Sequence, residues 1–204
     1  MFYEIRTYDL KPRSVSQFAR RTSELLAKRQ EYSVLFGFWH TEIGPLNQVV
    51  HIWQYEDLKE RASIRGKVKA EGIWPPNNNE FIANMQTEIM LPAKFTPSMN
   101  EGKLGPIYEM RTYTYAAGDV DKVLAAWEDV ISDRVRLSPL VGCWYGEIGQ
   151  LNKFVHMWAY TSFEERTRVR EESAKLGIWP PKSGVLPLRQ ENKILLPFDF
   201  SPLQ

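Results

Sequence analysis

Two histidines occur in the same short motif at two places in this 204-residue chain. His51 lies in Val-His-Ile-Trp, and His156 lies in Val-His-Met-Trp, 105 residues later. Both runs are rich in β-branched and aromatic residues, which is typical of strands, and alternate side chains of a strand share one face. The side chains predicted to share the two histidine faces are His51, Trp53 and Tyr55, and His156, Trp158 and Tyr160.

A carboxylate and an arginine are also repeated, two residues apart. Tyr-Glu-Ile-Arg-Thr-Tyr near the start of the chain returns as Tyr-Glu-Met-Arg-Thr-Tyr. Beside an imidazole, a carboxylate orients the ring and tunes it as a general base, and a guanidinium can hold an anionic or enolate oxygen. The alternative is a satisfied buried polar network without a chemical role. The residues predicted to be catalytic are His51, His156, Glu4, Glu109, Arg6 and Arg111.

The remaining candidates are aromatic and acidic side chains that would contact a ligand. The two tryptophans beside the histidines can stack on a planar compound. Alternatively, they fill the interior of a β-barrel, as large side chains do in small barrels. The acidic residues of the repeated motif Glu-Ile-Gly would reach the histidine face from a neighbouring strand. The predicted ligand contacts are Trp53, Trp158, Tyr55, Tyr160, Glu42 and Glu147.

Composition and motifs argue against several other functions. The formal net charge of +1 supplies no field for binding a nucleic-acid backbone. Three histidines and one cysteine without a metal-ligand spacing argue against a metal site, and no phosphate-binding motif occurs, so neither metal nor cofactor is predicted. No apolar run approaches the roughly 20 residues of a membrane helix, and no signal core opens the chain, which predicts a cytoplasmic protein without a membrane partner.

The chain repeats itself over almost its whole length. With a shift of 105 residues, 3–99 aligns with 108–204 without a gap, and 33 of the 97 pairs are identical. A period this long indicates two related domains rather than a solenoid. The predicted boundaries are 1–99 for the first domain, 100–105 for a linker and 106–204 for the second domain.

Each half shows the order strand, helix, strand, strand, helix, strand. In the first half, strands are predicted at 2–8, 35–43, 48–55 and 85–91. Ser14 with Gln17, and Asp57 with Glu60, have the spacing of capping boxes, so each pair is predicted to begin a helix. This order is the split βαβ, ferredoxin-like pattern, in which two helices cover one face of a four-stranded antiparallel sheet.

An α+β fold of this type leaves the other face of each sheet uncovered. Two tandem ferredoxin-like βαββαβ domains are therefore predicted to pack sheet against sheet, as a pseudo-dimeric eight-stranded α/β barrel with the helices outside. Along the first strand, Tyr3 and Ile5 alternate with Glu4 and Arg6. We predict that the polar set points into the barrel lumen, where it would meet His51.

The repeated motifs resemble those of the NIPSNAP family, in the dimeric α/β-barrel superfamily. The resemblance rests on Tyr-Glu-Ile-Arg-Thr-Tyr, on Trp39 with Glu-Ile-Gly and Asn47, on His-Ile-Trp-Gln-Tyr and on Arg61 with Arg65, and it covers both halves. It implies the fold and the pseudo-dimeric barrel more than a reaction. The wider superfamily contains cofactor-free oxygenases, haem-degrading enzymes, isomerases and dehydratases, which is an analogy at the level of the fold.

Two functional classes follow from these patterns. In the first, the barrel binds or converts a small aromatic or carbonyl compound without a bound cofactor, as an oxygenase or isomerase would. In the second, the barrel is filled and the chain is a non-catalytic interaction or assembly module. An open cavity of roughly 300 Å³ or more beside His51 would favour the first class, and a filled lumen the second. Formation of a homo-oligomer is compatible with both.

Overall fold

The computed structural model describes residues 1–98 and 102–204, and within them both halves have the predicted order of elements. The first half contains β1 (Phe2–Leu10), α1 (Val15–Gln30), β2 (Leu35–Ile43), β3 (Gln48–Tyr55), α2 (Leu58–Ala70) and β4 (Ile82–Pro92). The second half contains β5 (Ile107–Thr114), α3 (Val120–Arg134), β6 (Leu140–Ile148), β7 (Lys153–Tyr160), α4 (Phe163–Lys175) and β8 (Arg189–Pro197). A 3-10 turn, Asn79–Phe81, precedes β4.

The strands close into one barrel in the order β1-β3-β2-β8-β5-β7-β6-β4. In each half the third strand lies between the first and the second, as the ferredoxin-like pattern predicts. The antiparallel pairs β2–β8 and β4–β6 join the halves, so the last strand of each half pairs with the first strand of its own half and with the second strand of the other. The predicted pseudo-dimeric eight-stranded barrel is confirmed.

Apolar side chains from both halves fill the barrel interior. The ring of Tyr3 lies 5.7 Å from that of Trp144, and the ring of Trp39 lies 5.5 Å from that of Tyr108, so aromatic contacts cross between the halves. These residues belong to one buried cluster that draws on β1, β2 and β3 and on their repeats. Since neither half can bury this surface alone, the hydrophobic effect acts on the two halves together.

A glycine in β2 makes room for the largest interior ring. A Cβ atom on Gly37 would lie 2.1 Å from Cη2 of Trp39, which is closer than any side chain permits. Gly142 and Trp144 repeat the arrangement, with 2.3 Å to Cζ2. The two Gly-x-Trp motifs are therefore packing motifs of the interior.

The helices that carry the repeated arginines begin at capping residues. Asp57 accepts a hydrogen bond from the backbone N–H of Glu60 at 2.8 Å, and Ser162 accepts one from that of Glu165 at 3.1 Å. These caps confirm the predicted starts of α2 and α4. At α1 the predicted side-chain cap is wrong, because the hydroxyl of Ser14 donates to the carbonyl oxygen of Lys11 instead.

The last residues of each half cross onto the other half. Ser201 Oγ accepts a hydrogen bond from the backbone N–H of Phe38 at 2.9 Å, and the equivalent Thr96 bonds to the backbone of Cys143. In the predicted linker, residues 100 and 101 lie outside the described residues, while the backbone of Gly102 bonds to that of Gln204. None of the helices in 1–98 and 102–204 is long and apolar enough to cross a membrane.

Candidate functional site

The polar residues of β1 lie on the outer face of the barrel, beneath the helices. Arg6 is opposite His51 where β1 pairs with β3, and both line a cavity whose opposite wall includes Arg65 and Val68 of α2. The prediction that this face points into the lumen is therefore wrong. The two sheets face each other across the barrel interior, and apolar side chains are buried there. Between the sheet and the helices, arginines of the helices can form ion pairs with buried carboxylates.

The same correction applies to both halves. Arg111 is opposite His156 where β5 pairs with β7, and both line a second cavity together with Arg170 of α4. The predicted residues that lie on the outer face rather than in the lumen are Glu4, Arg6, His51, Trp53 and Tyr55, with their repeats Glu109, Arg111, His156, Trp158 and Tyr160.

Each half holds one buried carboxylate between two arginines. Glu4 Oε1 accepts hydrogen bonds from Arg6 Nη1 at 2.6 Å, from Arg61 Nη2 at 2.6 Å and from Thr87 Oγ1 at 2.8 Å. Burial by itself would raise the pKa of Glu4, but the hydrogen bond from Arg61 and the charge of Arg6 outweigh it and lower the pKa to about 2. The carboxylate is therefore ionised at neutral pH, and its Oε1 is bonded to both arginines.

The second half repeats this ion pair. Glu109 Oε1 accepts from Arg166 Nη2 at 2.6 Å and from Arg111 Nη1 at 3.1 Å. Burial acts to raise the pKa of Glu109, and the bond from Arg166 with the charge of Arg111 lowers it overall. Because each carboxylate serves two guanidinium groups, Glu4 and Glu109 position arginines, and neither orients the histidine as the sequence predicted.

The histidines are oriented by tryptophans of the same strand. Trp53 Nε1 donates to His51 Nδ1 at 2.7 Å, and Trp158 Nε1 donates to His156 Nδ1 at 2.9 Å. An indole nitrogen only donates, so Nδ1 accepts and the proton of the neutral imidazole is on Nε2. Nε2 of both rings has no hydrogen-bond partner in the part of the chain that the structure describes. Each histidine thus offers a buried N–H donor, not the free acceptor that a general base requires.

Burial keeps both imidazoles neutral. His51 and His156 are 1% and 2% exposed. Burial lowers the pKa of both rings well below the ordinary value, and the nearby positive charges of Arg6 and Arg111 lower the pKa of the respective histidine further. A neutral ring is the form in which Nδ1 can accept from the indole, so the electrostatics and the hydrogen bond agree.

A buried arginine on α3 was missed by the sequence analysis. Arg134 is 2% exposed, donates to Ser138 Oγ at 2.9 Å and to Tyr160 Oη at 3.3 Å, and lies with its guanidinium carbon 4.0 Å from the ring centre of Trp158. Arg29 of α1 repeats these contacts in the first half. The available signal was an arginine on the apolar stripe of each helix, identical in the two copies.

Two tryptophans of the loops after the helices close the cavities. The ring of Trp74 lies 6.0 Å from that of Trp53, and Trp179 lies 5.6 Å from Trp158. Both precede a pair of prolines. Each packs on the outer face of its own half.

Glu42 and Glu147 do not join the site. Phe38, not Glu42, is opposite His51 in the pairing of β2 with β3, and the two rings stack at 4.5 Å. Both glutamates are exposed near the ends of their strands. The prediction that these glutamates reach the histidine face from a neighbouring strand is wrong, because a strand places only one residue directly opposite its neighbour.

The two cavities differ in size. The first has a volume of about 170 Å³ and the second about 390 Å³. Phe18 and Phe38 line the first cavity, and their equivalents in the second half are the smaller Val123 and Cys143. Of the predicted ligand contacts, Trp158 and Tyr160 line the second cavity, while Trp53 and Tyr55 do not line the first. In the described residues, no three histidine, cysteine or acidic side chains are grouped as a metal site.

A family model described as NIPSNAP matches residues 3–97 and 108–202. This chain belongs to the NIPSNAP family. Its relatives include Protein NipSnap homolog 3B of Homo sapiens, which is 30% identical over 213 residues that cover 100% of this chain and 86% of that protein. Protein NipSnap homolog of Dictyostelium discoideum is 28% identical over 181 residues, covering 87% of this chain and 77% of that protein. The resemblance drawn from the repeated motifs is confirmed.

The fold of the whole NIPSNAP chain is also similar to that of solved structures with very different sequences. An anthrone oxidase-like protein superposes with a TM-score of 0.63 and 9% identity, covering 97% of this chain and 91% of that one. At this identity the likeness shows the fold alone. Any function of this chain therefore has to be argued from its own cavities.

Proposed function

We propose that this NIPSNAP protein binds a small aromatic or carbonyl compound, without a bound cofactor, in the cavity between the sheet and the helices of its second half. The observation that carries the proposal is the unpartnered Nε2–H of His156 on the wall of a cavity of about 390 Å³. A buried donor without an acceptor is unfavourable, and a ligand oxygen would satisfy it. The volume lies in the range of small-molecule sites.

The aromatic walls support a planar ligand. The ring of Trp127 lies 4.7 Å from that of His156 and 4.5 Å from that of Trp179, and all three line the cavity. A planar compound would stack or pack edge-on against these rings while its carbonyl or hydroxyl oxygen accepts from His156. The same N–H would polarise a bound carbonyl, so conversion of the ligand remains part of the hypothesis.

The test is ligand binding by variants that separate the two nitrogens of His156. Quinols, phenols and enolisable carbonyl compounds are screened by thermal shift, and hits are measured by calorimetry. His156→Asn keeps an acceptor near Nδ1 for Trp158 but removes the donor, so we expect affinity to fall at least tenfold. His156→Gln places an amide near Nε2 and is expected to retain part of the affinity. His51→Asn, the same change in the first half, is the matched control and should bind as the wild type does.

Two results would contradict the proposal. The first is a His156→Asn variant that binds the hits as tightly as the wild-type protein. The second is a wild-type protein that binds none of the compounds at millimolar concentration.

The filled barrel interior favours a second candidate. By the criterion of an open lumen, the second class is favoured, in which this NIPSNAP chain would be a non-catalytic interaction or assembly module, because the lumen holds packed apolar side chains. The ligand screen separates the candidates, since a module of this kind is expected to bind none of the compounds. A cytoplasmic location and formation of a homo-oligomer remain predictions.

A further inference from the structure

Positive charge exceeds negative charge around the second cavity. Its lining includes the guanidinium groups of Arg111, Arg134 and Arg170, and one carboxylate, that of Glu109. That carboxylate is already bonded to Arg111 and to the adjacent Arg166. In the described part of the chain, Arg134 and Arg170 therefore have no carboxylate within ion-pair distance.

Among the arginines that line the cavity, Arg134 is the buried one, and it has no carboxylate partner in the described part of the chain. It is 2% exposed, its partners Ser138 and Tyr160 are neutral, and its Nε has no hydrogen-bond partner among the described residues. Burial lowers the pKa of Arg134, which reports the cost of keeping the charge there. Burying a guanidinium without an anion is unfavourable, and an anion brought into the cavity would relieve this cost.

The first half holds the same buried arginine without a cavity beside it. Arg29 has the same neutral partners, Ser33 and Tyr55, but Phe18 and Phe38 fill the space where the second cavity opens, and Arg29 does not line the first cavity. Only in the second half does the buried arginine meet a space large enough for a compound.

We infer that the ligand of the second cavity is a planar organic monoanion, an aromatic carboxylate, whose carboxylate is held by Arg134 with Arg170 at the rim. This inference rests on the proposed function and names the chemical class of its ligand. A guanidinium binds a carboxylate through two parallel N–H groups, and one buried uncompensated cation matches one negative charge. The apolar body of the ligand packs against Trp127 and Trp179, which line the cavity, and one carboxylate oxygen accepts from His156 Nε2.

Calorimetry with isosteric probes tests the charge of the ligand. The probes are 2-naphthoate, its neutral amide 2-naphthamide, and 2-naphthyl phosphate. We expect the wild-type protein to bind 2-naphthoate at least tenfold more tightly than the amide and more tightly than the phosphate. Equal or tighter binding of the amide overturns the charge assignment and leaves the proposed function standing. Tighter binding of the phosphate overturns the carboxylate assignment. Failure of all three probes to bind at millimolar concentration overturns both the inference and the proposed function.

Variants identify the residues that hold the charge. The Arg134→Leu variant is expected to bind 2-naphthoate and 2-naphthamide with similar affinity, because it removes the cation and keeps the apolar wall. Should this variant fail to fold, Arg170→Gln at the exposed rim is expected to lower the preference for 2-naphthoate about threefold. Arg168→Gln is the matched control, because Arg168 is exposed on the same helix and pairs with Glu172 away from the cavity. A preference that survives in both Arg134→Leu and Arg170→Gln would overturn the assignment.

Discussion

The cavities of the two halves have the same polar framework but different volumes. Each cavity has a carboxylate bonded to two arginines and a histidine that accepts a hydrogen bond from a tryptophan. In each, a buried arginine also lies over the ring of that tryptophan. The volumes are about 170 Å³ and 390 Å³. The framework therefore does not set the size of the cavity.

Substitutions between the halves set it instead, and three of them lie on α1 and β2 and their repeats. Phe18 and Phe38 correspond to Val123 and Cys143, which opens space, and Thr22 corresponds to Trp127, which takes part of that space back and adds an aromatic wall. In a duplicated chain, one half can therefore have a small cavity while the other half, with the same framework, has a cavity large enough for a ligand. The difference identifies the second half as the place to look for binding.

The largest effect is expected when the halves are separated. If residues 1–98 and 102–204 are produced as separate chains, neither is expected to be a soluble monomer, because each would expose the apolar interior and an unpaired strand edge. Produced together, they should form a one-to-one complex in size-exclusion chromatography. A fragment that is monomeric and unfolds cooperatively would show that the halves are independent domains.

The two ion pairs are expected to contribute equally. Glu4→Gln and Glu109→Gln should each lower the free energy of unfolding by about 3 kcal/mol, because each leaves two partly buried guanidinium groups without an anion. Glu42→Gln and Glu147→Gln are matched controls at exposed positions and should change it by less than about 0.5 kcal/mol. Denaturant unfolding measures all four. Unequal losses at Glu4 and Glu109 would contradict the common framework.

The histidines predict a loss of stability in mild acid that both halves share. Burial lowers the pKa of His51 and His156 well below that of the unfolded chain, so the unfolded state binds more protons below about pH 6.5. Stability is complete above that pH and falls as the pH decreases, by up to about 1.4 kcal/mol per pH unit for each histidine.

Unfolding at several pH values checks this slope. His51→Asn and His156→Asn should each remove about half of it. Stability that is constant between pH 7 and pH 5.5 would show that the rings are not buried in their neutral form.

The smallest effect tests the origin of the size difference. The triple change Val123→Phe, Trp127→Thr and Cys143→Phe gives the second half the side chains of the first, and it is expected to weaken binding of 2-naphthoate at least tenfold. The protein should still fold, because the first half accommodates the same three residues. Calorimetry measures the affinity, and a triple variant that binds as the wild type does would place the difference elsewhere.

Much of this architecture could be predicted from the sequence. The strand bounds 35–43 and 48–55 agree with β2 and β3, because alternation and turn residues are local properties that the chain shows twice. The repeat also predicted the barrel, since an uncovered sheet face needs a partner and a second copy provides one. The repeated Glu4, Arg6 and His51 were recognised as one group, and the structure does bring this face together.

The face of the sheet and the volume of the cavity were decided only by the tertiary structure. Alternation along β1 separates Tyr3 and Ile5 from Glu4 and Arg6 but does not say which set is covered by the other sheet and which by helices. That choice depends on where Arg61 can reach a carboxylate, which is a contact over 57 residues of chain. The volume of the cavity depends on how the side chains of α1, β2 and their repeats pack together on the outer face of the sheet. Hydrophobic periodicity along the sequence does not reveal how well such side chains fill the space between them.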